Sequence, residues 1–175
     1  MSQFHIEKVT AKEDFNKAIE IRRKVFIEEQ NVPIHEEIDI YEEAAVHYLV
    51  FVGDTPVATL RFRLWKGYLK IERAATLKEH RGKGIMTKLL VYVQEEGLKL
   101  YPDYLLFIHA QYDVLKFYEK LGWVAVGPVF DESKIKHQVM IFLPDSKEKI
   151  KNLKCLQDPE VPSYVARVLW TTLKE

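Results

Sequence analysis

The chain has 175 residues, 47% hydrophobic and 12% aromatic, which suits one domain with a proper core and excludes wholesale disorder. Lys plus Arg and Asp plus Glu both total 26, so the formal net charge is zero and no nucleic-acid partner is expected. Cys155 is the only cysteine, which excludes internal disulfides and cysteine-clustered zinc; no metal is expected. The start MSQFHIEKV lacks a basic, then apolar leader, and no apolar run approaches the ~20 residues of a membrane span, so a cytoplasmic protein without membrane association is expected.

In chain order, Phe4 to Val9 alternates like a short strand, and Thr10 with Glu13 spells a capping box opening a helix. Phe15, Ile19, Arg22 and Phe26 fall on adjacent turns of that helix, with Ala18 and Val25 in the same stripe. Arg22 and Arg23 read as solvated on base rates, and Val32-Pro33 ends or turns the helix. Glu36 to Glu43 reads as an exposed acidic loop or short second helix. From Glu28 to Glu43 there are seven carboxylates (Glu28, Glu29, Glu36, Glu37, Asp39, Glu42, Glu43) and no Lys or Arg, which polarises the molecule. Val46 to Val52 is an apolar strand, Gly53 to Pro56 a turn, and Val57 to Leu64 a strand with Arg61 and Arg63 on one face. Lys66-Gly67 turns the chain into Tyr68 to Thr76, giving an antiparallel meander.

That third strand runs into Arg81, Gly82, Lys83 and Gly84 and then a helix from Ile85 with Leu89 and Val93 on its apolar face, loosened by Gly97 and stopped by Pro102. A glycine loop opening a helix makes an anion site, because first-turn N–H groups lack intrahelical partners and the macrodipole is positive there; the other reading of the loop alone is a charged strand-to-helix connection. Leu105 to Ala110 is a central strand, expected parallel to its predecessor through a right-handed crossover. Asp113 can cap a helix with Val114, Phe117, Tyr118 and Leu121 in one stripe, closed by Gly122. Trp123 to Val126 and His137 to Leu143 are strands joined by a loop from Gly127 to Lys136. After Pro144 the chain turns lysine-rich, and Pro159 and Pro162 precede YVARVLWTTL.

The loop is not Walker A, which requires Gly-Lys-Ser/Thr, and a GxGxxG fingerprint fails at Thr87. The pattern left, Arg/Gln-x-x-Gly-x-Gly/Ala, is met at Arg81 and Gly84 and departs at Met86. This resembles motif A of the GNAT N-acetyltransferase superfamily, whose loop binds the pyrophosphate of acetyl-coenzyme A. AQYDVLKFYEKLGW resembles the superfamily's motif B, with Phe117, Tyr118, Gly122 and Trp123 in its fixed positions, and RRKVFIEEQNVP resembles the N-terminal helix of one branch, where it borders the acceptor cleft. The element order, β-α-(α)-β-β-β-α-β-α-β-β, is that of the same fold. The resemblance spans Phe4 to Leu143. It implies an α/β (α+β) domain over residues 1–143, with a mixed, mainly antiparallel sheet of six to seven strands flanked by helices. Residues 144–175 form a C-terminal extension, packed or subunit-bridging, which leaves room for a homodimer.

The implied activity is transfer of the acetyl group of acetyl-CoA to a primary amine by direct attack in a ternary complex; a non-catalytic acyl-CoA sensor and an unrelated nucleotide-binding module are the alternatives. Carried over position by position, Arg81, Gly82, Lys83, Gly84, Ile85, Met86 and Thr87 would hold the pyrophosphate. Ala74, Ala75 and Thr76 would line the pantetheine arm, or simply pack in the sheet. His109 stands where the family commonly has an Asn that meets the cofactor, and could instead be a satisfied buried histidine. Tyr118 is the candidate general acid for the leaving thiolate, against a core tyrosine. Glu72 is the candidate base, against an ion pair with Arg73 or Arg61, or water as base. The acidic stretch, if it rims the cleft, favours a cationic small-molecule amine or lysine-like acceptor, against a solvated loop with no role.

Overall fold

The computed structural model describes residues 3–175. Seven strands form one mixed sheet in the order β1-β2-β3-β4-β5-β7-β6. The strands are β1 (Phe4–Lys8), β2 (Val46–Val52), β3 (Thr55–Trp65), β4 (Tyr68–Thr76), β5 (Leu105–Gln111), β6 (Val124–Glu132) and β7 (Ile135–Phe142). The helices are α1 (Lys12–Arg22), α2 (Ile34–Glu37), α3 (Ile85–Leu100), α4 (Leu115–Glu119), α5 (Lys147–Lys151) and α6 (Ser163–Lys174). Among the described residues no helix is long and apolar enough to cross a membrane. The chain divides into two compact units: residues up to Arg63 with Ile71–Val93, and Leu64–Lys70 with Gln94–Glu175.

In the first unit β1, β2 and β3 pair antiparallel, with Phe4 opposite Val52 and His47 opposite Arg61. Period-two alternation along β2 then puts Leu49 and Phe51 on the face where α1 lies. Ala18, Ile21 and Val25 meet them there, together with Ala75 of β4. The capping box does not form. Ala11 is the N-cap, extended at φ −113° and ψ 151°, with no side-chain cap, so Thr10 stands one residue outside the helix end. The helix continues past Arg22 as expected, but it widens into a π-helical segment, Arg23–Glu29, before Asn31 turns left-handed at φ 57°. A π-turn rotates side chains off the 3.6-residue stripe, which periodicity alone does not reveal.

The second unit is built around an apolar cluster. Leu105 and Phe107 of β5, Val126 of β6 and Val139 and Ile141 of β7 pack with Tyr68 and with Ile150, Leu153, Cys155, Val165 and Leu169 of the C-terminal segment. Three backbone approaches fix that arrangement. At Gly67 (φ 81°) a Cβ would lie 2.3 Å from the Cys155 nitrogen, at Gly127 (φ 73°) 2.9 Å from the Tyr164 ring, and at Gly97 2.5 Å from Leu69 Cδ1. Gly97 therefore does not loosen α3, which runs unbroken to Leu100; it admits Leu69. The expected loop from Gly127 to Lys136 is instead a hairpin: β6 extends to Glu132, and Ser133 (φ 50°) and Lys134 (φ 60°) form a two-residue turn with both residues left-handed. Without glycine at either position, that turn had no sequence signal. Asp113 does not cap α4, whose N-cap is Val114 behind a 3₁₀ turn, Tyr112–Val114.

Candidate active site

In the first unit the glycine loop has the expected form. A 3₁₀ turn, Lys78–His80, leads to Arg81, then Gly82 (φ 73°) and Gly84 (φ 76°), and the Gly84 carbonyl accepts the Lys88 N–H at 3.2 Å to open α3. A Cβ at either glycine would meet nothing within 4 Å, so open space lies where ligand oxygens would approach the backbone. Ile85 is buried and holds the helix start; Lys83 is exposed and Met86 and Thr87 are half-buried. Arg81 does not project its charge freely. Its Nε donates to the Thr76 carbonyl at 2.9 Å, and its Nη2 donates to both oxygens of Glu29 at 3.0 and 2.9 Å, tying the loop to the end of β4 and to the π-helical segment.

Of the β4 residues, Ala75 packs into the α1 core, while Ala74 and Thr76 are half-buried. Arg73, before them, has φ 58°, a left-handed conformation costing roughly 1–3 kcal/mol for a residue with a side chain. Glu72 and Ala75, three apart, consequently face the same side of the sheet, the signature of an extra residue in the strand. The Arg73 guanidinium is held by the carbonyls of Glu37 (3.2 Å) and Glu36 (3.0 Å) and by Asp39 Oδ2 (3.1 Å), partners that keep the strained residue in place.

Around Glu72 lies a charge network that sequence reasoning did not find. Glu72 accepts from Arg61 Nη2 at 2.8 Å and from Arg63 Nε at 3.1 Å, so of the two expected ion pairs the one with Arg61 is made, and Arg63 joins it. Arg61 also donates to Asp39 at 2.9 and 2.7 Å. Arg22, expected in solvent, is 1% exposed and donates to Glu37 at 2.6 Å and to Glu42 at 2.9 and 2.7 Å. Glu37 is buried as well, against the expectation of an exposed acidic loop. Tyr41 lies over Arg63 at 3.9 Å, and His47 Nε2 meets the Glu42 carbonyl at 2.9 Å. Desolvation raises the Glu37 pKa against the pull of Arg22 and Arg73; at Asp39 desolvation is outweighed by Arg61, leaving its pKa at about 2. Five of the seven carboxylates of the acidic stretch are thus matched by arginine: Glu28 by Arg23, Glu29 by Arg81, Glu37 by Arg22, Asp39 by Arg61 and Glu42 by Arg22. The visible signal was Arg61 and Arg63 two apart on an otherwise apolar strand.

In the second unit Tyr118 is buried, edge-on to Phe117 and Trp123 at 5.0 and 6.1 Å, and desolvation pushes its phenol up to about 12. His109 is partly exposed rather than a buried core histidine. Its Nδ1 lies 3.2 Å from Glu132 Oε1, with His137 Nε2 3.8 Å from the other oxygen. Among the described residues no group of three metal-ligating side chains is assembled.

Residues 8–143 match the family model of the acetyltransferase (GNAT) domain. The chain belongs to the GNAT acetyltransferase family. Among relatives, the Bacillus subtilis (strain 168) uncharacterized N-acetyltransferase YjcF is 36% identical over 134 residues, 74% of this chain and 92% of that protein. The uncharacterized protein YyaT of the same strain is 36% identical over 143 residues, 78% and 93% of the two chains. Among solved structures, an acyl-CoA N-acyltransferase from Pseudomonas aeruginosa superposes with a TM-score of 0.74 at 22% identity, covering 81% of this chain and all (100%) of that one. The PaiA N-acetyltransferase of Thermoplasma acidophilum, solved in complex with coenzyme A, gives 0.60 at 16% identity over 80% and 98% of the two chains. This GNAT protein is therefore an acyltransferase by family, and its fold is the family's.

Proposed function

We propose that the protein transfers the acetyl group of acetyl-CoA to a primary amine by direct attack in a ternary complex. The observation behind this reading is the pair of left-handed glycines, Gly82 and Gly84, with open space before the N-terminus of a 16-residue helix. The N–H groups at Ile85, Met86 and Thr87 would receive the pyrophosphate, with Lys83 adding charge and Arg81 holding the loop in shape. Ala74, Ala75 and Thr76 would flank the pantetheine arm. Acetyl-CoA supplies the thioester. The amine nitrogen forms a bond to the acetyl carbon as the C–S bond breaks, the ammonium proton goes to a base, and the thiolate leaves with a proton or a hydrogen bond.

Tyr118 takes the thiolate side. With a pKa at about 12 its phenol stays protonated at neutral pH, while thiols ionise near ~8.5, so full proton transfer to the thiolate runs uphill. Its contribution is then a hydrogen bond to the developing charge. Tyr118→Phe should lower kcat by about 10²-fold, the low end for a positioned acid, with coenzyme A affinity unchanged.

Calorimetry with coenzyme A on Gly84→Val tests the cofactor site. A branched side chain at φ 76° is strained and fills the open approach, so binding should be lost in a folded variant. Thiol release from acetyl-CoA with a panel of alkylamines, amino acids and lysine peptides tests the transfer; binding without release would indicate a sensor. Because arginines match most of the acidic stretch, kcat/KM for cationic, neutral and acidic amines should depend only weakly on ionic strength.

A further inference from the structure

We propose that Arg73 is a positioning residue: its guanidinium, anchored on the C-terminal end of α2, fixes which backbone groups at the end of β4 meet the pantetheine arm and the thioester. The proposal rests on the acetyl-transfer reading above, and every group it uses lies in the first unit. A left-handed residue with a long side chain is costly within a strand. It persists only where its surroundings over-determine it, so such an outlier one residue before Ala74 points to a functional constraint.

The conformation at Arg73 decides the faces of the residues that follow. Glu72 pairs with Arg61, which stands opposite His47 and so on the face of β2 that carries Leu49. Ala75 belongs to the cluster around Leu49 on that same face. A regular strand would put Ala74 and Thr76 there instead, so without the left-handed residue Ala74, Ala75 and Thr76 would all exchange faces. Their N–H and C=O groups would exchange edges with them. In the bulged strand the Leu77 N–H donates to the Val57 carbonyl at 2.9 Å, and the Thr76 carbonyl, pointing the other way, accepts from Arg81 Nε at 2.9 Å. Alternation then turns the Ala74 N–H and C=O away from β3 as well.

The anchor is made by α2 and the residues after it. Arg73 Nη2 donates to the Glu36 carbonyl at 3.0 Å and Nε to the Glu37 carbonyl at 3.2 Å, at the end of a helix where carbonyls lack intrahelical partners. Glu37 Oε2 and Asp39 Oδ2 each lie 3.1 Å from the same guanidinium. Neither carboxylate depends on Arg73 for charge balance. Glu37 also accepts from Arg22 Nε at 2.6 Å, and Asp39 accepts from Arg61 at 2.9 and 2.7 Å. What Arg73 adds is a tie between α2 and a strand residue held at φ 58°.

The test uses the full chain and two ligands, acetyl-CoA and 3′-phospho-ADP, the nucleotide half of coenzyme A without the pantetheine arm. Glycine adopts φ 58° without steric cost but does not enforce it, and both carboxylates keep their other arginines. Arg73→Gly should therefore fold with a urea midpoint close to the parent's. Calorimetry should show 3′-phospho-ADP bound as by the parent and acetyl-CoA bound roughly tenfold more weakly. With the best amine from the panel above, kcat should fall by roughly 10²-fold, the scale expected when reacting groups are misplaced by about 1 Å. Arg73→Lys keeps a charge for the carboxylates but has no planar fork for two carbonyls, so it should recover only part of both losses. If the parent releases no thiol with any amine, the acetyl-transfer reading fails and this proposal with it. With an active parent, two results overturn the proposal alone: a folded Arg73→Gly with parental kcat and acetyl-CoA affinity, or one that loses both ligands equally, which would make Arg73 a purely structural residue. Should Arg73→Gly not fold, the same comparison of ligands on Arg73→Lys decides, and equal effects on the two overturn the proposal.

Discussion

The two units fill their interiors with different chemistry. The first buries Arg22 and Arg61, each 1% exposed, in a network with Arg63 and Arg73 against Glu37, Asp39, Glu42 and Glu72; the second buries Tyr68, Leu105, Phe107, Ile141, Leu153, Val165 and Leu169. Apolar burial is non-directional and contributes about 25 cal/mol per Å². A buried ion pair contributes little net stability once desolvation is counted, but breaking it by removing one partner is costly. The comparison therefore separates what makes the fold stable from what sets the geometry around Glu72 and the strained Arg73.

The largest effect should come from deleting residues after Leu143. The second unit would lose Ile150, Leu153, Cys155, Val165 and Leu169 from its core, at ~1.5–3 kcal/mol for each large aliphatic side chain, a total comparable with the whole ~5–15 kcal/mol stability of a domain. Hydrogen exchange should show protection lost from β5 to β7; protection equal to the parent's would mean that the extension is not part of this core. Next, Arg61→Met should cost about 3–5 kcal/mol in urea unfolding, because Glu72, Asp39 and Glu42 lose their common partner. Removing charges in pairs sharpens the contrast: Arg22→Met with Glu37→Leu should cost less than either single change, since the network stays neutral. If the double substitution costs the sum of the two singles, these groups do not interact energetically.

The smallest effect is on pH. The His47 pKa is depressed, first by desolvation, so the unfolded chain binds its proton more readily and stability falls as pH drops through about 6.5. Asp39, at about 2 when folded against 3.8, contributes stability that is present above pH ~4 and disappears as pH falls towards 2, reduced by the solvent screening of a partly exposed group. Glu37 works the other way. Its raised pKa means that the folded chain takes up a proton first, which offsets part of the acid loss. Urea midpoints between pH 7 and 3 should therefore decline gradually, and a midpoint that rises below pH 6 would contradict these assignments.

What was legible in the sequence was local. The bounds of β2 and β4, the start of α3 at Ile85 and the glycine loop follow from alternation, turn residues and helix periodicity within short windows. The network was not legible, because Arg22 meets residues 15 and 20 positions away and Arg73 meets Asp39 across 34, and a one-dimensional charge pattern does not say which acid finds which base. The acidic stretch looked like an exposed rim for that reason. The His109–Glu132 pair was hidden differently: it depends on the Ser133-Lys134 hairpin, whose left-handed residues are not of the type that announces such a turn.

The C-terminal segment has a further consequence, for synthesis. All strands and helices of the first unit have been made once translation passes Val93, whereas the second unit's core cannot close until the chain has reached Leu169. Through that interval the apolar faces of β5, β6 and β7 wait for the partners that will cover them. The order of the chain thus makes the first unit, with its buried charges, the part able to fold early, and places the second unit's period of greatest aggregation hazard between the synthesis of β5 and that of Leu169.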